Sequence, residues 1–513
     1  MKNQYLKRYQ WREDDLAQIA NHSISPDKLE NQLRLFETGT QYPDVTRPVT
    51  PEAGLRQLSE EEIRDYSALY IRKKADADIV NFIPASGAAT RMFKDFQTYR
   101  NNPQQGDGSE KMARFFAALP DLAIFPDVLL YLSKKEYQQL VQSRNFAELT
   151  EIMLDKDKLG YADKPKGLIP FHIYDDGTVR TPFEEHLKES SQYAHGKGDR
   201  VRLHFTINPF YSGDFKSKAR TFLQNPGMKS TITEVSYSSQ LQETDTIALD
   251  GNNHFFRDSK GHLLFRPGGH GALIRNLGQI KADIVFIKNI DNIAHADHQN
   301  ESVAAKKMMA GMLLAIQEKI FSMIHQLRAN TISADAALRF IEASNLVIFP
   351  ESVKDQSEAK KRQTALQVLD RPLRVCGMVR NTGEPGGGPF WVRQNNGCIV
   401  PQIVEKSQFQ PGSERSAELL QAATHFNPVD MVCALRQYNG DYFALNDFID
   451  PSTYFISEKS HEGQSIKVLE WPGLWNGAMA NWNSVFVEIP ITTFHPVKTV
   501  YDLLRPAHQK AKN

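Results

Sequence analysis

Cysteine is scarce in this chain: Cys376, Cys398 and Cys433 are the only three in 513 residues. Three thiols cannot all pair, and none stands in a close-spaced cluster of metal-ligand type. A disulfide scaffold and a zinc ribbon are therefore excluded, and a reducing, cytoplasmic setting is expected. An excess of charge of either sign is also missing, since Lys+Arg and Asp+Glu both number 61. Without an overall field, neither nucleic acid nor an anionic membrane is an expected partner. Long apolar runs are absent. The longest, around Met308 to Ile316, lies between Lys306, Lys307 and Lys319 and is too short to span a bilayer. Met1 to Asp15 has no apolar core of the secretory type, so no signal peptide is expected. No internal repeat occurs, no Gly-Lys-Ser/Thr closes a Walker loop, and no G-x-S-x-G elbow marks a serine hydrolase. Oligomeric state leaves no mark in the sequence.

What remains is an ordinary globular composition of a length that suggests two or three domains or one large elaborated α/β domain. The first seventy or so residues read as helical, with Ser59-Glu60-Glu61-Glu62 as a capping box ahead of Ile63, Tyr66 and Tyr70. Strands are expected at Ile79 to Ile83, Val201 to Ile207, Thr231 to Tyr237, Thr246 to Leu249, Ile284 to Ile287, Leu373 to Val379, Ile399 to Val404 and Val485 to Ile489. Helical patterns separate many of them, including Thr90 to Tyr99 and Met308 to Leu327, whose Met and Leu stripe reads as core. Gly251-Asn252-Asn253 suggests a local hairpin, and Gly383-Glu384-Pro385-Gly386-Gly387-Gly388 a mobile loop. This alternation predicts a mostly parallel sheet with covering helices, and ligands then belong at the carboxyl ends of its strands.

Several segments carry chemistry. Arg266-Pro267-Gly268-Gly269-His270-Gly271 removes side chains where a chain leaves a strand, and Asp291 follows the strand Ile284 to Ile287; a glycine-rich surface plus a carboxylate can hold a nucleotide and its metal. Pro84-Ala85-Ser86-Gly87-Ala88-Ala89-Thr90-Arg91 lets backbone N–H groups approach an anion and adds a guanidinium; packing of a tight βα turn explains the small residues equally well. Lys164-Pro165-Lys166-Gly167 and Val497-Lys498-Thr499 place lysines on constrained segments, as phosphate ligands or as solvated surface cations. His295-Ala296-Asp297-His298 offers three metal-capable side chains in one turn. No matching carboxylate and histidine set stands upstream, so a solvated loop or a place behind a Mg²⁺ ligand is the preferred reading.

Taken in order, these segments resemble the uridylyl-transferring sugar pyrophosphorylases of the nucleotide-diphospho-sugar transferase superfamily. Pro84 to Met92 is similar to that family's Leu-x-Gly-Gly-x-Gly-Thr-Arg signature, keeping Gly87, Thr90 and Arg91 but carrying Ser86 and Ala89 where glycines are usual. Lys166-Gly167 resembles its Pro-Lys-Gly segment, and Pro267 to Gly271 its base-binding turn, with His270 in place of Asn. Ile290-Asp291-Asn292 resembles Val-Asp-Asn, and Phe494 to Thr499 the Phe-x-Pro-Val-Lys-Thr segment. The whole chain is similar to a bacterial family catalogued as domain of unknown function 4301, through Arg380 to Trp391 and Leu474 to Met479.

The resemblance implies a Rossmann-like, GT-A-like fold with N-terminal helices and a C-terminal extension: a helical cap over 1–74, the α/β domain over 75–412, and a segment over 413–513 that completes the site. It implies attack by a sugar-1-phosphate on an NTP, UTP by preference, with Mg²⁺ as cofactor. Arg91 and Lys498 would meet the triphosphate and Lys166 the phosphate oxygens. Asp291 and Asn483 would hold the metal; Asn481 is the other candidate for the second position. Ala85, Ser86, Gly87, Thr90, Gln240, Gly268, Gly269 and His270 would face the nucleotide, and Glu384 and Glu405 the sugar. The alternatives are an NDP-sugar-dependent glycosyltransferase and a non-catalytic sugar-nucleotide sensor. Several phosphate-directed lysines beside a carboxylate favour the transferase of nucleotidyl groups.

Overall fold

Ile79-Val80-Asn81-Phe82-Ile83 is a run of buried side chains too apolar for an edge strand, and in the computed structural model it forms the inner strand Ile79–Pro84. The structure describes residues 8–102, 109–225, 232–383 and 386–511. They fold into two compact units, each assembled from three separated stretches: Ser67–Ser239, Val285–Met308 and Ile489–Asn513 in one, Met1–Tyr66, Gln240–Ile284 and Met309–Glu488 in the other. Parallel strands need crossovers, so residues distant in sequence become neighbours. The architecture is mixed α/β, and its central strands are mostly parallel.

In the unit that begins at Ser67, the strands run in the order Ile284–Lys288, Ile79–Pro84, Arg200–Thr206, Ile232–Ser238. Ile79–Pro84 pairs in parallel with Arg200–Thr206, and that strand in parallel with Ile232–Ser238. Between Arg91 and Lys166 the chain inserts the helices Lys94–Asn101, Ser109–Ala118, Lys134–Gln142 and Phe146–Leu154. Their apolar faces form one core with residues of the C-terminal segment, among them Val497, Val500 and Leu503. The helix expected over Thr90 to Tyr99 starts later, as the 3₁₀ turn Ala89–Arg91 followed by Lys94–Asn101. The turn bends Arg91 out to solvent while Ala89, Met92 and Phe93 stay buried.

In the unit that begins at Met1, Leu373–Arg380 pairs in parallel with Asn483–Glu488 and antiparallel with Asp430–Ala434. The N-terminal residues are not wholly helical. Pro26–Thr38 is a helix capped by Ser25, but Asp44–Pro48 is a strand pairing with Gly388–Arg393, and Leu55–Arg56 pairs with Asn483–Glu488. The Ser59 capping box forms as expected, with Ser59 Oγ accepting from Glu62 N and Glu62 Oε2 accepting from Ser59 N. The long helix is Asn300–Arg328, and Met308, Met309, Met312 and Leu313 of its stripe are buried.

Gly251 to Asn253 closes a tight turn in which the Asp250 carboxylate accepts from Asn252 N and His254 N. A second turn of the same kind follows at Asp258. The hairpin Phe455–His461 and Gln464–Glu470 carries no apolar run; its signal is Glu462-Gly463, both at positive φ. Among the described residues no helix is long and apolar enough to cross a membrane. The loop expected at Gly383 to Gly388 falls partly outside the described residues, and Gly388 already begins a strand.

Candidate active site

The turn after Ile79–Pro84 is anchored at its start, where Ala85 N donates to Thr206 O at 2.8 Å. The next three amides, of Ser86, Gly87 and Ala88, donate no hydrogen bond among the described residues. Three consecutive unpaired N–H groups at the carboxyl end of a parallel strand are donors that an anion could use. Small residues are required for access. A Cβ at Gly87 would meet nothing within 4 Å, so the space beside it is open to a ligand. The far side of the turn is zipped to the lysine segment, through Ala89 N to Lys164 O at 2.9 Å and Lys166 N to Gly87 O at 3.1 Å. Thr90 donates its hydroxyl to Ala162 O at 3.1 Å, a structural role. Arg91 is exposed and has no partner among the described residues.

Asp291 lies in a loop held at four successive points. Lys288 pairs with Glu189 at 2.7 Å, both fully desolvated, and His186 Nε2 lies 3.2 Å from Ile290 O. Burial, reinforced by the Lys288 charge, pushes His186 down to about 3, so its ring is neutral. Asp291 Oδ2 meets Lys166 Nζ at 2.6 Å, and Asn292 Oδ1 accepts from His495 N at 2.8 Å. The C-terminal segment closes on the same loop. Val497 N donates to Asp291 O at 3.0 Å, while Val497 O accepts from Lys166 Nζ at 2.9 Å. Lys498 N and Thr499 N both donate to Asp502 Oδ2, capping the 3₁₀ turn Val500–Leu504 and fixing the backbone from which Lys498 projects.

The loops are positioned from below by one hydrophobic core. Ala89 and Met92 flank Arg91, Ile169 follows Lys166, Ile293 follows Asp291, and Val497 and Val500 flank Lys498; all six are buried together. Each polar group is thus tied to a packed apolar neighbour within three residues, so the site is rigid without being strained.

In the other unit the turn Gly268 to Gly271 packs against Trp471 and Pro472. A Cβ at Gly268 would overlap the Trp471 indole, and one at Gly271 the Pro472 carbonyl. Gly269 has φ +78°, which favours glycine. His270 stacks on Trp475 at 4.3 Å, and its Nδ1 accepts from Leu474 N at 3.0 Å. The neutral ring therefore carries its proton on Nε2, which lies 3.9 Å from Glu405 Oε1. Burial lowers the His270 pKa, with Glu405 and Glu470 pulling the other way. Gln240 donates to Thr244 Oγ1 at 3.4 Å.

Comparison with known sequences then decides the family, because the family described as Domain of unknown function (DUF4301) matches residues 12–509. The chain belongs to the DUF4301 family. No curated protein matches it. Among solved structures, it is similar to the uridine diphosphate N-acetylglucosamine pyrophosphorylase from Trypanosoma brucei at 13% identity and a TM-score of 0.50, covering 98% of this chain and 81% of that one. The UDP-glucose phosphorylase from Trypanosoma brucei matches at 12% identity and TM-score 0.45, covering 96% and 77%. The UDP-glucose pyrophosphorylase from Leishmania major matches at 12% identity and TM-score 0.41, covering 96% and 78%. At such identity the likeness speaks for the fold, and only the first of the three carries weight.

In this DUF4301 chain the residues marked in the sequence divide in two. Ala85, Ser86, Gly87, Thr90, Arg91, Lys166, Asp291 and Lys498 lie on segments that touch one another in one unit. Gln240, Gly268, Gly269, His270, Glu405 and Asn483 lie in the other. Asn483 is buried at the start of its strand, its Nδ2 donating to Val368 O at 2.9 Å while its Oδ1 has no partner among the described residues, and Asn481 accepts from Gln394 at 2.9 Å. Glu384 lies outside the described residues. Sequence reading missed Asn292 as the pin of the C-terminal segment and Val497 O as a ligand of Lys166. An amide directly after the marked carboxylate was the available signal for the first; a carbonyl has none.

Within the His295-Ala296-Asp297-His298 motif, His295 is buried in a polar network while Asp297 is exposed to solvent. His172 bridges Glu185 at 3.1 Å and His508 at 3.0 Å, His295 stacks on Tyr174 at 4.3 Å, and His295 N donates to Ala507 O. Among the described residues no three His, Cys, Asp or Glu groups could hold a metal. Asp291 alone still suits Mg²⁺, which takes one or two carboxylates and completes its shell with water and substrate phosphates.

Proposed function

We propose that this protein transfers a nucleotidyl group from an NTP, UTP by preference, to a sugar-1-phosphate, releasing pyrophosphate and forming an NDP-sugar. The observation that carries the reading is the meeting of three unpaired amides, Lys166, Asp291 and the Lys498 segment at strand ends in one unit. Cations and amides beside one carboxylate match a polyphosphate with its metal. The marked segments resemble the pyrophosphorylase pattern in sequence, and the fold is similar to that of the uridine diphosphate N-acetylglucosamine pyrophosphorylase from Trypanosoma brucei. We read the sheet as GT-A-like on the same ground.

In the reaction a phosphate oxygen of the sugar-1-phosphate forms a bond to the α-phosphorus, and the bond from that phosphorus to the bridging oxygen of the leaving pyrophosphate breaks. The Ser86 to Ala88 amides and Arg91 hold triphosphate oxygens. Lys166 spreads its charge over the α-phosphate, and Lys498 balances the leaving group. Asp291 would hold Mg²⁺, which would supply neutralisation of phosphate charge. The catalytic work is positioning and charge neutralisation.

Pure protein with Mg²⁺, each NTP and a panel of sugar-1-phosphates should release pyrophosphate with at least one pair. No release with any pair, together with tight NDP-sugar binding, overturns the enzyme and leaves a sensor.

A further inference from the structure

We infer that Lys166 occupies the metal's electrostatic place in the empty enzyme, so that the divalent cation enters only as part of the metal–triphosphate complex. The inference rests on the metal role proposed for Asp291. Lys166 Nζ lies 2.6 Å from Asp291 Oδ2 and donates at 2.9 Å to Val497 O, so one ammonium spans a carboxylate and a carbonyl. Both oxygens are of the hard type a magnesium ion would choose. The pair is largely desolvated, with side-chain exposures of 14% and 21%, so water screens it poorly.

Charge arithmetic gives the consequence. Asp291 and Lys166 sum to zero, and Arg91 on the same zipped loop adds a positive charge, so a bare divalent cation meets repulsion. A triphosphate that brings its own cation carries net negative charge, and its phosphate oxygens offer Lys166 a stronger partner than Asp291 does. Lys166 then moves from the carboxylate to the phosphate, and Asp291 is released to the metal in the same step. The loops need not move: Lys166 N stays bonded to Gly87 O and Val497 N to Asp291 O, so the exchange uses only the flexible lysine stem. The substrate is accordingly the metal–nucleotide complex, and no metal is stored between turnovers.

Paramagnetic Mn²⁺, titrated by electron spin resonance without nucleotide, tests this directly. Wild type should bind Mn²⁺ weakly, Lys166→Met more tightly by on the order of tenfold or more, and Lys166→Arg as weakly as wild type. The double variant Lys166→Met/Asp291→Asn should lose the gain. Lys166→Gln gives the same readout should the Met variant not fold. With Mn²⁺ and each NTP together, wild type should bind the pair. Equal nucleotide-free affinity in wild type and Lys166→Met overturns the inference, while Asp291-dependent binding of the metal–NTP pair would leave the nucleotidyl-transfer reading standing. Failure of wild type to bind any metal–NTP pair overturns both.

Discussion

Asn292 Oδ1 accepts a hydrogen bond from His495 N at 2.8 Å, so the residue after the marked carboxylate pins the chain three residues before Lys498. A buried amide thereby converts a position in the loop after a strand into a position of the C-terminal segment. Asn292→Ala leaves the His495 amide without its acceptor, a loss of about 1–3 kcal/mol. Hydrogen exchange over residues 495–500 should accelerate and pyrophosphate release should fall, while the rest of the unit keeps its protection. Unchanged exchange would remove Asn292 from this role.

Asp291→Asn keeps the shape of the side chain and a contact for Lys166 but removes the charge proposed to hold the metal. Turnover should drop by about a hundredfold to a thousandfold, comparable to removing one preorganised stabilising group. The thermal midpoint should stay close to that of wild type. Near-full activity would take Asp291 out of the chemistry.

Two glycines give opposite expectations. Gly271→Ala forces a Cβ into the Pro472 carbonyl, and backbone cannot step aside, so thermal stability should fall by about 1–3 kcal/mol. Gly87→Ala meets nothing in the protein. Its melting curve should match wild type while KM for the nucleotide rises, because the methyl enters the space proposed for phosphate. A destabilised Gly87→Ala or a fully stable Gly271→Ala would contradict the packing described.

Acid should unfold the unit that begins at Ser67 through histidines buried neutral. Burial holds His186 at about 3 and His204 at about 4, against an ordinary value of 6.5. Between those values the unfolded chain binds protons that the folded chain refuses, so stability rises with pH across the window and is lost as pH falls through it. At about 1.4 kcal/mol per unit of separation, the two together cost several kcal/mol by pH 3. Urea unfolding between pH 7 and pH 4 should show the midpoint falling steadily, and His204→Asn should lessen that slope between about pH 6 and pH 4.

Strands with continuous apolar runs were legible: Ile79–Pro84, Arg200–Thr206, Ile284–Lys288, Leu373–Arg380 and Ile399–Val404 are all present within a residue or two of the expected bounds. Asp44–Pro48 and Phe455–His461 were not, because their side chains are polar or half-exposed and their partners lie far away or across a two-residue turn. Within the candidate site, residues whose chemistry is unusual for a turn could be marked, as with Gly87, Arg91, Lys166 and Asp291. Asn483 was marked because an amide near a strand can bind a metal or pack, and its Nδ2 donates to Val368 O.

By itself the sequence determined which groups the protein can bring to a ligand: exposed amides where small residues interrupt a strand–helix turn, a guanidinium, two constrained lysines and a carboxylate. Side-chain chemistry and backbone freedom are local properties. Only the tertiary structure decided that Lys166 faces Asp291, that Val497 closes over both, and that a shared core beneath the loops holds them there. Those are relations between residues separated by 125 and 331 positions, set by parallel-strand crossovers and apolar packing and not by any local preference.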